Sequence, residues 1–340
     1  MSKKIIKFIT GNEAVILAAK LAGAKFMSGY PITPATEILQ IWAEYCSHDK
    51  TLKMIQAEDE TSAGFNTIGA LLSGTKSFTA SAGPGHILMQ DPLVMAEAMR
   101  LPFVGIMMMR GGPSTGTVIY GQQEVTLACF GGNGEGHRIV YSASGPQDLF
   151  DYTIKAFNNA WKYRFPTLVL GDGYQSKMAT EVDINNNYKS YPSSTIFDKK
   201  NINIRNCFNF ESELAETIEK NNIDYNKFSK EIVESEQYMT NDAKKIIIAH
   251  GIVATAAKEA INVLRNHGKN IGLFRPITLR PFDVLSLMKA IRNADEILIV
   301  ESSFGQLERL VKANLSTGIK IKTIQKPALL ISPEEIIKAL

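Results

Sequence analysis

Two hydrophobic periods alternate along the first half of the chain. The stretch NEAVILAAKLAG (residues 12–23) places Ala14, Leu17, Ala18 and Leu21 on one face at helical spacing, and Gly23 follows as a stop signal. Short apolar runs recur between helix-length stretches, at 25–30, 53–57, 77–81, 102–109, 138–142 and 167–170. Strands that alternate with helices predict a parallel α/β sheet, and helices on both of its faces explain a run as apolar as VGIMMM.

The pattern changes twice and therefore predicts three parts. Residues 184–241 are rich in Asn, Lys, Ser, Asp and Glu, which predicts a polar linker that carries a helix or two on the surface. From residue 242 the alternation returns, and its first long helix has a predicted cap at His267-Gly268. We expect a first domain at 1–183, a linker at 184–241 and a smaller α/β domain at 242–340.

Composition and charge narrow the function classes. The 340 residues carry a net charge of +3 and no basic block interleaved with aromatic side chains, which argues against nucleic-acid binding. The three cysteines form no CxxC pair and the five histidines no HxxxH spacing, so we expect no metal site on this chain. Asn12 and Glu13 interrupt the basic, apolar N-terminus, and no run reaches the length of a membrane span. These features predict a cytoplasmic protein without a membrane partner.

Polar, charged or small residues follow four successive predicted strands. They lie at Tyr30-Pro31-Ile32-Thr33-Pro34, Glu58-Asp59-Glu60, Ala82-Gly83-Pro84-Gly85 and 110–116 (RGGPSTG). Ligands of open parallel sheets bind outside the carboxyl ends of the strands, so these residues are candidates for one site. Each also has a structural interpretation: a rigid proline turn, acids at a helix N-terminus, a β–α turn and a surface arginine. The small residues after Glu60 fit either close approach of a ligand or tight helix packing.

A resemblance to a known family rests on an ordered series of motifs. They are GNEAV, GYPITPATE, QAEDETSAGFNTIGAL, FTASAGPGHILM, MRGGPSTG and KAFNNAWKYRFPTLVLGDG, followed by HGIVATAAKEAINVLR, GLFRPITLRPF and VESSFGQL. Together they resemble the α subunit of the 2-oxoacid:ferredoxin oxidoreductases, thiamine-diphosphate enzymes that oxidatively decarboxylate 2-oxoacids to acyl-CoA. The resemblance covers nearly the whole chain outside the linker. It implies a pyrimidine-type thiamine-diphosphate domain followed by a transketolase C-terminal-like domain.

The resemblance also implies roles for the strand-end residues. Glu60 matches the catalytic glutamate that bonds to the aminopyrimidine ring of the cofactor, and a carboxyl in a dry cleft has a raised pKa. Thr33 and Arg110 match the residues that hold the substrate, with the guanidinium on its carboxylate. Cofactor contacts are further implied for four residues of the flanking loops: Pro31, Ile32, Gly83 and Gly85. The two prolines beside Thr33 would fix its hydroxyl at the reacting centre.

Several tempting motifs are interpreted as structural. The pair GDG (171–173) and NNN (185–187) looks like a Mg²⁺–diphosphate motif, but the stretch between them is too short. The glycine-rich GGNGEGH (131–137) is interpreted as a flexible loop, and His86 and His137 match no family position. Arg275 and Arg280 flank PITL and fit surface arginines beside a proline turn better than ligands of CoA or a partner.

The missing diphosphate motif implies that the enzyme needs further chains. The resemblance implies a β subunit that carries Mg²⁺-diphosphate binding and iron–sulfur clusters, possible γ and δ subunits, ferredoxin as acceptor and CoA as co-substrate. For the substrate, GEGHRIV and KYRFPTLVLGDGYQSKM look most like the 2-oxoisovalerate subtype, with 2-oxoglutarate second and pyruvate third. The alternatives are another thiamine enzyme of the transketolase or E1 type and a non-catalytic assembly subunit.

Overall fold

The computed structural model describes residues 5–184, 188–197, 204–315 and 318–340. The elements up to residue 183 are β1 (Ile6–Thr10), α1 (Gly11–Leu21), β2 (Phe26–Gly29), α2 (Thr36–His48), β3 (Lys53–Gln56), α3 (Glu60–Leu72), β4 (Ser77–Ser81), α4 (Pro84–Leu88), α5 (Gln90–Ala98), β5 (Val104–Met109), α6 (Val125–Phe130), β6 (Ile139–Ser142), α7 (Pro146–Tyr163), β7 (Thr167–Asp172), α8 (Gly173–Lys177) and β8 (Ala179–Asp183). Those that follow are α9 (Glu211–Ile232), β9 (Ser235–Tyr238), β10 (Lys245–Ile248), α10 (Gly251–Asn266), β11 (Ile271–Pro276), β12 (Thr278–Arg280), α11 (Val284–Ile291), β13 (Glu296–Glu301), α12 (Gln306–Ala313), β14 (Lys320–Gln325) and α13 (Pro333–Ala339).

A seven-stranded sheet in the order β12-β6-β7-β5-β4-β2-β3 forms the centre of the first part. All neighbours are parallel except β12, which runs antiparallel to β6. Helices α2 and α3 leave β2 and β3 and cover opposite faces, because Trp42 of α2 and Leu71 of α3 belong to different core clusters. The chain therefore changes direction across the sheet between β2 and β4, which is where open α/β sheets bind ligands.

Strand β5 shows why this sheet has strands without polar alternation. Val104, Ile106 and Met108 pack into the cluster on one face, whereas Met107 and Met109 pack into the cluster on the other. Every residue of the strand is buried, as expected for a parallel sheet between two helical layers. The predicted α/β class is confirmed by this arrangement.

The second sheet has five strands in the order β14-β13-β10-β11-β9. Helix α10 ends at Asn266 with His267 as its C-cap, and Gly268 follows with a φ of +76°, so the predicted cap is confirmed. Strand β9 pairs antiparallel with β11 at the edge of this sheet. Strand β12 directly follows β11 in the chain but pairs with β6 of the first sheet. The two sheets are thus tied together by the chain segment around β12.

The segment from 184 to 241 contributes more than a polar surface. Its helix α9 buries Tyr225, Phe228 and Ile232 in the core cluster of the first sheet, and the Tyr225 hydroxyl donates to the carbonyl oxygen of Arg138 over 2.8 Å. Those three side chains recur at helical spacing within an otherwise polar sequence. The boundaries at 183 and 241 remain predictions.

Helix α1 buries two faces, of which the sequence predicted one. On the predicted face Ala14 and Ala18 are fully buried, Leu17 is half-buried and Leu21 is exposed; on the other, Val15 and Ile16 are fully buried. The reason is that α1 lies between the main core and a second cluster that includes Val182 of β8. Strand β8 pairs antiparallel with β1, and the sequence pattern had indicated neither strand. No helix in the described ranges has the length and apolar character that crossing a membrane requires.

Candidate cofactor and substrate site

Four adjacent strands bring the predicted residues to one edge of the sheet. The strands β5, β4, β2 and β3 are neighbours in that order and run parallel, so their carboxyl ends meet at the same edge. Arg110, Gly83 and Thr33 lie in the loops after β5, β4 and β2, and Glu60 begins the helix that follows β3. The crevice between β2 and β4 lies between the Thr33 loop and the Gly83 loop.

Glu60 is the first residue of α3 and is buried. The helix begins there because Asp59 caps it, accepting a hydrogen bond from the Ser62 backbone N–H over 2.7 Å. Glu60 is only 4% exposed, and its Oε1 atom has no hydrogen-bond partner within the described residues. Burial raises the pKa of this carboxyl, and the hydrogen bond from the Glu60 backbone N–H and the charge of Arg110 offset this only in part. Buried polar atoms are normally hydrogen-bonded, so this carboxyl oxygen is a candidate for a hydrogen bond to a ligand.

Gly85 is the residue that leaves room at this carboxyl. A Cβ atom placed on Gly85 would overlap both the Glu60 Oε1 atom and the Ser81 hydroxyl. The Ser81 hydroxyl is also buried without a hydrogen-bond partner within the described residues. The small residues that follow Glu60 have a different function, because a Cβ on Gly64 would overlap Pro92 of α5. For Gly64, the helix-packing interpretation is therefore the one that the structure supports.

Arg110 and Thr33 are brought together, although not through the threonine hydroxyl. Arg110 is 5% exposed, and its Nη1 atom donates to the Thr33 carbonyl oxygen over 2.8 Å. Its Nε atom is buried without a partner in the described structure. Gly83 has a φ of +51°, and a Cβ there would lie 2.6 Å from that Nε atom. Thr33 itself is exposed.

The proline loop after β2 is fixed by hydrogen bonds from Asn12 of α1. Asn12 at the start of α1 is buried, and its Nδ2 atom donates to the Pro34 carbonyl oxygen and to Glu37 Oε2, each over 3.0 Å. Pro31 is exposed and Ile32 is half-buried. The loop is thus fixed to two helices while its tip remains open to a ligand.

Glu124 is a central residue that the sequence did not indicate. Its Oε1 atom accepts from the backbone N–H groups of Gly83, over 3.0 Å, and Arg110, over 2.9 Å. Its Oε2 atom lies 2.8 Å from Nδ1 of the fully buried His86. One carboxylate therefore joins the loops after β4 and β5. Its only sequence signal is a position just before the short apolar helix α6.

The GDG motif has a structural role in this fold. Asp172 caps α8, accepting from the backbone N–H groups of Tyr174 and Gln175, each over 3.0 Å. It is fully buried, and burial raises its pKa to about 7. Residues 185–187, the other half of the rejected pair, lie outside the described residues. Within the described ranges no group of three potential metal ligands forms.

Comparison with known proteins places the chain in a family. Residues 17–247 match the family model described as "Pyruvate flavodoxin/ferredoxin oxidoreductase, thiamine diP-bdg", and residues 243–329 match "Pyruvate:ferredoxin oxidoreductase core domain II". The ketoisovalerate oxidoreductase subunit VorB of Methanothermobacter marburgensis is 32% identical, covering 90% of this chain and 89% of VorB. The 2-oxoglutarate synthase subunit KorA of Methanocaldococcus jannaschii is 29% identical, covering 89% of this chain and 90% of KorA.

Solved structures agree with these matches. The 2-oxoglutarate:ferredoxin oxidoreductase of Magnetococcus marinus, solved with 2-oxoglutarate, coenzyme A and succinyl-CoA bound, is 27% identical with a TM-score of 0.87. The match covers 99% of this chain, which spans 65% of the length of that chain. A split gene transketolase is 13% identical with a TM-score of 0.60, over 98% of this chain and 97% of that chain, and shows the fold alone.

The fold and the first family model define a thiamine-diphosphate-binding α/β protein with a second domain like that of transketolases. More narrowly, the chain belongs to the 2-oxoacid:ferredoxin oxidoreductase family. The family resemblance of the sequence motifs is thereby confirmed.

Proposed function

We propose that this chain is the α subunit of a 2-oxoacid:ferredoxin oxidoreductase and contributes the pyrimidine half of its thiamine-diphosphate site. The complex would convert a 2-oxoacid and CoA to acyl-CoA and CO2, with the released electrons passing to ferredoxin. The observation that carries this proposal is the buried carboxyl of Glu60, whose Oε1 atom lacks a partner in the described structure and lies against Gly85.

The residues at the crevice fit thiamine diphosphate. Glu60 would bond to a ring nitrogen of the aminopyrimidine, because its free oxygen needs a polar partner in a buried position. Gly83 and Gly85 would let the ring approach, and Pro31 and Ile32 would border it. When bound, the cofactor supplies a carbanion centre that accepts the electrons of the bond broken in decarboxylation.

Glu60 would hold the proton that this chemistry requires. Its raised pKa keeps the carboxyl protonated at higher pH than an exposed glutamate, so the group can share a proton with a basic ring nitrogen. The buried position also excludes water from that proton. These properties belong to the folded chain before any ligand binds.

Arg110 and Thr33 would hold the substrate. The guanidinium keeps one donor on the Thr33 carbonyl oxygen, and its Nε–H is free of partners in the described structure. A planar carboxylate is the natural acceptor for such a group. The exposed Thr33 hydroxyl would add a hydrogen bond from the opposite loop.

We further propose that the partner is a β subunit carrying the Mg²⁺-diphosphate half of the site and iron–sulfur clusters, with γ and δ subunits as possible additions, in the cytoplasm. For the substrate we propose 2-oxoisovalerate, supported by the 32% identity to VorB, with 2-oxoglutarate as second candidate, supported by the 29% identity to KorA. Pyruvate ranks third.

The test uses the chain purified with its partner subunits. CoA-dependent reduction of a viologen dye is measured with 2-oxoisovalerate, 2-oxoglutarate, pyruvate and indolepyruvate. Glu60→Gln should lower turnover by about 10²–10⁴-fold, the usual contribution of a positioned acid–base group. The exposed Glu58 lies two residues away, and Glu58→Gln serves as the matched control.

Unchanged turnover in Glu60→Gln would remove the catalytic role assigned to this residue. If the intact complex, with cofactor and clusters verified, reduces no dye with any acid, a transketolase-type or E1-type activity becomes the leading assignment. A complex that binds no thiamine diphosphate would instead identify this chain as an assembly subunit.

A further inference from the structure

A cavity of about 730 Å³ lies between elements of both sheets, apart from the crevice at Glu60. Its walls come from α6, α9, the segment around β12, and α12. Its volume is within the roughly 300–1,000 Å³ typical of small-molecule sites. None of the residues assigned above to cofactor or substrate lines it.

The charges in this cavity have one sign. Arg280 and Arg309 both line it, and no aspartate or glutamate is among the lining residues that the structure describes. A cavity that gathers guanidinium groups without carboxylates attracts anions.

Both guanidinium groups are held by neutral acceptors. Arg280 donates to the backbone carbonyl oxygens of Glu135 and Gly136 in the glycine-rich loop. Arg309 donates to the Phe304 carbonyl oxygen over 3.2 Å and to the Thr126 hydroxyl over 3.5 Å.

Arg275, the other arginine beside PITL, differs. It is ion-paired with Asp148 and with Glu236, and it is buried. Of the two arginines, only Arg280 keeps its full charge available to a ligand in the described structure.

The rest of the lining combines apolar surface with carboxamides. The Arg280 guanidinium lies over the ring of Phe130, 4.5 Å from its centroid, and Phe130 is exposed. Asn226, Asn314 and Gln306 add amide donors and acceptors. We propose that this cavity binds a nucleotide-type anion, in which phosphate contacts Arg280 and Arg309 and a planar polar ring contacts the amides and Phe130.

The position of the cavity connects it to the crevice through α6. Val125 and Thr126 line the cavity and directly follow Glu124, whose carboxylate holds the loops of Gly83 and Arg110. An occupant that shifts the first turn of α6 would therefore act on the residues that hold the proposed substrate.

The test measures binding rather than turnover, so its outcome does not depend on the proposed function. ADP is titrated calorimetrically into the chain purified with its partner subunits, with excess thiamine diphosphate present to fill the diphosphate site. Arg309→Leu should weaken ADP binding by roughly tenfold or more, the loss of one charge-assisted contact. The exposed Arg292 lies outside the cavity, and Arg292→Leu should bind as the wild type does.

Further measurements test the second arginine, the phosphate and nucleoside parts of ADP, and competition by CoA. Arg280→Leu should weaken ADP binding as well. This variant also loses two hydrogen bonds to the glycine-rich loop, so substitution of the exposed Arg309 disturbs the structure less. Pyrophosphate and adenosine should each bind more weakly than ADP. Displacement of ADP by CoA would identify the nucleotide part of CoA as the occupant, and failure to displace it would identify a free nucleotide. Two results would overturn the proposal. One is no ADP binding at millimolar concentration, and the other is an affinity for ADP in both Arg309→Leu and Arg280→Leu that equals that of the wild type.

Discussion

The Arg110 guanidinium donates a hydrogen bond from Nη1 to the carbonyl oxygen of Thr33, over 2.8 Å. The bond joins the loop after β5 to the loop after β2, across the end of the intervening strand β4. It fixes the direction in which the remaining donors of Arg110 point.

Replacement of Arg110 by lysine should impair substrate binding. A planar guanidinium can donate to the Thr33 carbonyl oxygen and to a carboxylate at the same time, whereas an ammonium group lacks donors in these fixed directions. We expect KM for the preferred 2-oxoacid to rise roughly 10–100-fold, from the loss of a charged hydrogen bond. Steady-state kinetics of the assembled complex measure this effect. Arg292→Lys on the exposed surface is the matched control, and an unchanged KM in Arg110→Lys would argue against substrate contact.

Gly85→Ala should block cofactor binding, because the new methyl group would overlap Glu60 Oε1 and the Ser81 hydroxyl. We expect thiamine diphosphate to bind far more weakly, as measured by cofactor content after gel filtration. Gly69→Ala is the control: this position is exposed on α3 with open space around it, so alanine should stabilise the helix by about 0.5–1 kcal/mol. Full cofactor content in Gly85→Ala would contradict the assigned position of the ring.

Glu124→Ala tests whether this carboxylate positions the substrate loop. The variant leaves the Gly83 and Arg110 N–H groups and His86 Nδ1 without their shared partner. We expect a roughly tenfold or larger rise in KM for the 2-oxoacid.

The control for Glu124→Ala is Glu97→Ala. Glu97 is equally buried and is ion-paired with Arg138, away from the crevice. Both variants should lower the melting temperature, but only Glu124→Ala should raise KM. A lower melting temperature without a change in KM would reduce Glu124 to a purely structural role.

The sequence indicated the crevice because parallel strands align their ends. Thr33, Glu60, Gly83 and Arg110 each follow an apolar run, and four successive runs became four adjacent strands. The order of the strands was not predictable, since it depends on how α2 and α3 distribute over the two faces of the sheet. The pairing of β12 with β6 is likewise a contact between distant segments without a local signal.

Glu124 escaped prediction for a related reason. It lies at the end of the long irregular segment after β5, and its three partners are Arg110 at the start of that segment, Gly83 in the loop after β4 and His86 in α4. A buried carboxylate that collects backbone N–H groups has no preferred spacing in the sequence. Tyr225 and Phe228 were different, since their helical spacing was present in the polar segment and could have predicted a packed face.

The last prediction concerns the effect of Asp172 on stability. Burial raises its pKa to about 7, while an unfolded aspartate titrates near ~3.9. Between these values the folded chain holds a proton that the unfolded chain has released. Stability therefore falls as pH rises through this window and is greatest below it.

Asp172→Asn should remove this dependence, because asparagine keeps the helix cap and resembles the protonated acid. We expect its melting temperature to exceed that of the wild type by a few degrees near about pH 8 and to match it only below about pH 4, where Asp172 is protonated in both the folded and the unfolded chain. Asp59→Asn is the contrasting helix-cap variant: the Ser62 hydrogen bond lowers the pKa of Asp59, so its stabilisation is lost as pH falls. If the melting temperatures of the wild type and Asp172→Asn changed in parallel with pH across this range, the prediction would be wrong. Asp172 would then be ionised in the folded chain throughout, with a partner such as water on its Oδ2 atom.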